Sequence, residues 1–129
     1  MHESDVENVH FHEVGRPQAI RNIAGIAVGL EDLGVQEILC SELHDGKGFI
    51  ECSHGRIPVP VPAVTNIIQD SGLKLRMTQV EGELVTPTGA AFAAAVRTEE
   101  TLPETFRILN VGIGAGKRKY ECPGILRAM

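Results

Sequence analysis

The chain has 129 residues, enough for one domain whose unstapled core buries roughly two-thirds of the surface that its unfolded form exposes. With 12 Lys and Arg against 17 Asp and Glu the formal charge is −5. The one basic cluster, Lys117-Arg118-Lys119, is too short to neutralise a phosphate backbone, which excludes a nucleic-acid scaffold.

In chain order, residues 9–14 read as a short strand with His10, His12 and Val14 on one face. Gly15-Arg16-Pro17 turns the chain into a helix over 17–33, where Ile20, Ile23, Ala24, Ala27 and Leu30 recur at helical spacing and Gly34 closes the end. A strand over 35–43 follows, then a polar turn His44-Asp45-Gly46-Lys47-Gly48, then a strand over 49–52 and a turn through Ser53-His54-Gly55. Pro58, Pro60 and Pro62 alternate with valines, so this run is extended and cannot sit in a central strand. It leads into a helix over 62–70 closed by Gly72. A weak strand over 73–80 precedes a helix capped by Thr86, with Pro87 in its first turn and an Ala-rich run to Arg97. Strands over 104–113 and 125–129, separated by a glycine-rich turn, complete the chain. Alternating strands and helices predict a single α/β or α+β domain, a mixed sheet with two to three packed helices.

The low aromatic content, with no Trp, one Tyr and four Phe, leaves the core to Val, Ile, Leu and Ala. Three cysteines without a CxxC pair suit a reducing compartment rather than a disulfide framework. The N-terminus lacks the apolar region of a signal peptide, and the longest apolar stretch, 23–30, is far shorter than the twenty or so residues that span a bilayer. A soluble, cytoplasmic protein away from membranes is expected.

His10-Phe11-His12-Glu13 is the sharpest chemical feature. Imidazoles at i and i+2 on a strand point the same way, and imidazole nitrogen suits nickel, zinc and copper. Glu13 could support a ligand only if the strand ends by residue 12. Two histidines are not a complete ligand set, and a solvated strand face is the competing reading. Further donors, by residue type, are His44 and His54 in glycine-bordered turns, Glu42, Asp45 and the cysteines.

Gly112-Ile113-Gly114-Ala115-Gly116-Lys117 is not a P-loop, because Val111 and Arg118 stand where glycine and Ser or Thr are needed. A phosphate contact through the turn amides and Lys117 remains open. At the start of the Ala-rich helix, free amides with Thr86, Thr88 and Gly89 form a candidate anion pocket, against the plainer reading of an N-cap with two acidic neighbours.

Several segments recur in one order: His10-Phe11-His12-Glu13-Val14-Gly15, Gly48-Phe49-Ile50, Cys52-Ser53-His54-Gly55, Pro58-Val59-Pro60, the run from Glu81 to Ala91, Gly114-Ala115-Gly116 and Ile125-Leu126-Arg127. In these the chain resembles the LarC-type nickel-insertion proteins, which mature the nickel-pincer cofactor of lactate racemase. The resemblance covers nearly the whole chain. It implies a CTP-dependent cyclometallase, a lyase that inserts nickel into pyridinium-3,5-bisthiocarboxylic acid mononucleotide with carbon–nickel and sulfur–nickel bonds. It further implies that residues 1–129 form the middle of such a protein, without the family's N-terminal segment and without the C-terminal domain that binds CTP and its divalent metal. Two departures stand out. Gln18 and Asn22 occupy positions where the family carries aspartates, and Lys117-Arg118-Lys119 follows Gly-Ala-Gly where it often has Arg-Asp.

Nickel handling is therefore the expected function. His10 and His12 act as ligands, assisted by His44, His54 or Glu13, and Thr86, Thr88, Gly89 and Lys117 hold the substrate phosphate. The expected partners are the pyridinium mononucleotide, the remaining domains of the same protein and further copies of the chain in a homo-oligomer. The alternative is a non-catalytic, degenerate metal- or partner-binding module, favoured by the two missing carboxylates.

Overall fold

Proline and glycine set the helix limits. In the computed structural model, which describes residues 17–52 and 55–129, α1 runs Pro17–Asp32 and ends ahead of Gly34 at φ 63. Helix α2, Pro62–Ser71, starts on proline, and Gly72 closes it in the left-handed region at φ 67, its N–H donating to the Ile68 carbonyl at 3.0 Å. Helix α3, Pro87–Val96, is capped by Thr86, whose hydroxyl accepts from the Gly89 N–H at 3.2 Å. All three lie within about two residues of the lengths expected from the sequence.

The strands depart further. The 35–43 strand and the polar turn after it are replaced by β1, Leu43–Lys47, which occupies the predicted turn. It pairs in parallel with β4, Leu75–Glu81, in the register Leu43↔Leu75, His44↔Arg76 and Asp45↔Met77. The residues before β1 make only an isolated bridge, Leu39↔Glu99, with Ile38 and Thr98 exchanging hydrogen bonds beside it. A His-Asp-Gly-Lys sequence extends because Asp45 is the side chain that its surroundings bury and because Gly46 lies beneath the Val80 and Gly82 carbonyls.

Strands β2, Phe49–Cys52, and β3, Gly55–Pro58, form an antiparallel pair in the register Phe49↔Pro58 to Cys52↔Gly55. Pro58 sits at its end, where a missing amide is tolerated. This pair and α2 make the crossover that a parallel β1–β4 ladder needs. The strand expected over 104–113 shrinks to β5, Gly112–Ala115, which takes in part of the predicted turn and pairs antiparallel with β6, Ile125–Ala128. Among the described residues three helices with small parallel and antiparallel sheets give the mixed α/β class that the alternation implied.

The core is aliphatic, as the composition requires. Val61, Val64, Val85 and Ala90 form its centre, and Leu43, Ile50, Ile57, Ile67, Ile68 and Leu75 pack against it. It lies between the packed helices α2 and α3 and the β1–β4 ladder. By contrast, α1 buries no residue, and its Ile20 and Ile23 are exposed. Among the described residues no helix is long and apolar enough to cross a membrane. The predicted 9–14 strand lies outside the described residues.

Candidate functional site

The loop between β4 and α3 is tied to the rest of the described residues from two sides. It opens at Gly82, whose φ of 109 only glycine adopts freely and whose N–H donates to the Lys47 carbonyl at 3.0 Å. Asp45, fully buried on β1, holds the loop from below. Its Oδ1 accepts from the N–H groups of Gly46 at 2.8 Å, Leu84 at 2.9 Å and Val85 at 3.0 Å. Its Oδ2 is buried with no hydrogen-bond partner. From the other side the Tyr120 hydroxyl donates to the Glu83 carbonyl at 2.6 Å, and Arg118 Nη1 meets Glu83 Oε2 at 2.9 Å. The Tyr120 hydroxyl and the Glu83 carboxylate raise the Arg118 pKa, holding that guanidinium firmly charged.

This loop delivers the chain to the N-terminus of α3, where the expected phosphate residues Thr86, Thr88 and Gly89 stand. Several donors at and just before the helix start are already engaged. Leu84 and Val85 amides go to Asp45, Gly89 N–H to the Thr86 hydroxyl, Ala90 N–H to the Thr86 carbonyl, and Pro87 has none. The Thr88 amide and hydroxyl make no hydrogen bond among the described residues. Lys117 is exposed, and the residues that reach back to the loop are its neighbours Arg118 and Tyr120.

A second polar group lies on the outer face of the β1–β4 ladder. Arg76 Nε contacts Glu42 Oε1 at 2.6 Å, and His44 Nε2 lies 3.8 Å from the same oxygen. The Arg76 hydrogen bond holds the Glu42 carboxyl below its ordinary range. Glu42 also borders an open cavity of about 270 Å³ with Cys40, Ser41, Lys74, Glu100 and Leu102. Burial pushes the Cys40 thiol up, against the opposing charge of Arg97, so this cysteine is a poor nucleophile.

Of the five expected metal ligands, only His44 can be placed. His10, His12, Glu13 and His54 lie outside the described residues. Among the described residues no three His, Cys, Asp or Glu side chains converge as a metal-holding group. Sequence reasoning counted Asp45 only as a donor by residue type. Its role depends on amides some forty positions away, and no local pattern encodes them.

A family model described as "Nickel insertion protein" matches residues 1–129, the whole chain. The chain belongs to the nickel insertion protein family. Three similar relatives carry the name pyridinium-3,5-bisthiocarboxylic acid mononucleotide nickel insertion protein. The one from Alkaliphilus metalliredigens is 50% identical over 95% of this chain and 29% of its own length. The relative from Acetivibrio thermocellus is 44% identical over 92% of the chain and 29% of its length, and that from Desulfitobacterium hafniense 41% over 98% and 31%. The chain thus spans about a third of the length of the curated family members it matches. No solved structure matches it.

Proposed function

We propose that this chain takes part in inserting nickel into pyridinium-3,5-bisthiocarboxylic acid mononucleotide, a step in making the nickel-pincer cofactor. The observation that carries the reading is 50% identity across 95% of the chain to a relative bearing that name. In this reading residues 1–129 are one domain, the central part of a larger cytoplasmic, homo-oligomeric protein. CTP and its divalent metal belong to the parts of the longer relatives that the chain does not match.

Nickel is here the cargo. A carrier that must surrender its ion to substrate sulfur needs few, partly open nitrogen donors rather than a closed thiolate cage. His10 and His12 supply them, with His44, His54 or Glu13 assisting. The substrate's phosphate meets the positive end of α3, where Thr88 offers its amide and hydroxyl beside Thr86 and Gly89, with Lys117 adding charge. Calorimetric titration with nickel tests the ligands: the double variant His10→Ala, His12→Ala is expected to bind at least tenfold more weakly. Unchanged affinity removes both residues from the site.

A second reading, a non-catalytic binding module, is favoured by the exposed Gln18 Nε2 to Asn22 Oδ1 hydrogen bond of 2.9 Å, a neutral pair on α1. Reconstitution separates the two. The chain is combined with nickel, CTP, the mononucleotide and the unmatched portion of a longer relative, and activation of apo-lactate racemase is measured. Activation supports the insertion reading, and failure where the full relative succeeds supports the module.

A further inference from the structure

Two elements lack the partner that their sequences ask for. In α1, Ile20, Ile23, Ala27 and Leu30 recur along one stripe, yet the helix buries no residue, and Ile20 and Ile23 are 61% and 48% exposed. Most of the stability of a helix in a protein comes from packing such a stripe. In the register of β5 with β6, Ile113 stands opposite Arg127 and Ala115 opposite Ile125, so these four residues share one face of the pair. Every residue of both strands is exposed. Two strands alone are marginal and need a third strand or a helix upon them. The chain thus holds a helix without a sheet and a sheet without a helix.

Charge decides how the two would meet. Glu31 continues the α1 stripe four residues after Ala27, beside Asp32, and this last turn carries no basic residue. Two acids at the negative end of a helix are unfavourable, and a cation there is favourable. Arg127 is the charged member of the Ile113–Ile125 face. Neither Glu31 nor Arg127 belongs to any ion pair among the described residues.

We propose that α1 of one copy of this chain seats on the Ile113–Ile125 face of β5–β6 in a second copy, with Glu31 of one beside Arg127 of the other, and that a two-fold axis repeats the contact. A four-residue strand pair is about 13 Å long, so one seat is small against the roughly 1,200 Å² that a specific interface buries. The axis supplies the seat twice from one set of residues. This surface gives the homo-oligomer proposed above its contact and rests on that reading, independently of nickel.

The test is analytical ultracentrifugation of the 129-residue chain over a concentration series, in wild type, Glu31→Arg, Arg127→Glu and the double variant. Both side chains are exposed and lie outside the core, and amide protection at Leu43 and Leu75 checks that each variant is folded. Wild type is expected to form a dimer. Each single variant sets like charges together and is expected to weaken that dimer at least tenfold. The double variant restores the pair in reverse and is expected to recover to within threefold of wild type. Glu31→Arg also improves the end of α1, so a weaker dimer in that variant is not a loss of the helix. A dimer that neither single variant weakens leaves the homo-oligomer standing and overturns this interface, and so does a double variant as weak as the singles. Wild type that stays monomeric overturns both and leaves the nickel titration to be judged alone. A monomer that instead binds the unmatched portion of a longer relative, and loses that binding in Glu31→Arg, assigns α1 to that portion and overturns the second copy.

Discussion

An alanine methyl at position 46 would run into the carbonyl oxygens of Val80 and Gly82, both backbone atoms that cannot swing away. Gly46→Ala is therefore expected to cost about 3 kcal/mol, the upper end of the usual overpacking range, read as a lower midpoint in urea unfolding. The exposed Glu42–Arg76 pair behaves differently. Because Arg76 lowers the Glu42 pKa in the folded chain, the pair contributes above the unfolded carboxylate pKa, and the contribution is lost as pH falls through the lowered folded value. Carboxyl NMR titration of Arg76→Ala should return Glu42 to the ordinary range. Molar salt should do much the same in wild type, since exposed pairs are screened. A Glu42 titration indifferent to both changes would show that Arg76 is not the cause.

At the scale of elements, Thr86 is a working cap. Thr86→Ala leaves the Gly89 amide without its acceptor, an expected loss of about 1 kcal/mol measurable by chemical denaturation. This cap was legible in the sequence, as were the other helix limits, because proline at the start and glycine at the end act on their own neighbours. The strands were less legible. Leu43–Lys47 has turn composition and becomes a strand only because Leu75–Glu81 lies beside it and the 84–85 amides receive Asp45. Likewise Phe106, Ile108, Leu109 and Val111 give residues 104–111 strand propensity, yet the pairing falls at Gly112–Ala115, where β6 supplies the partner. Thr86, Thr88 and Gly89 stand at the head of α3 because the helix limit itself was legible, whereas the use of the preceding loop amides by Asp45 had no local signal.

For the molecule as a whole, stability concentrates where α2, α3 and the β1–β4 ladder meet. Val64, fully buried at that meeting point, is expected to cost about 2 kcal/mol as alanine, with the transition remaining cooperative. The β5–β6 pair instead depends on its link to the 82–85 loop through Arg118 and Tyr120. The double variant Arg118→Ala, Tyr120→Phe is expected to speed amide exchange in Gly112–Ala115 at least several-fold while leaving Leu43 and Leu75 protected. Equal effects on both regions would mean that the pair and the core open together.

Two of the three amides that meet Asp45 belong to residues 39 and 40 positions further along the chain. During synthesis the β2–β3 hairpin can close from adjacent segments as soon as it leaves the ribosome, but Asp45 must stay hydrated until residue 85 has emerged. Its enclosure is thus a late event in the life of the nascent polypeptide. A released fragment ending before residue 84 would hold both strands of that hairpin while the acid still had only its neighbour Gly46 to greet it.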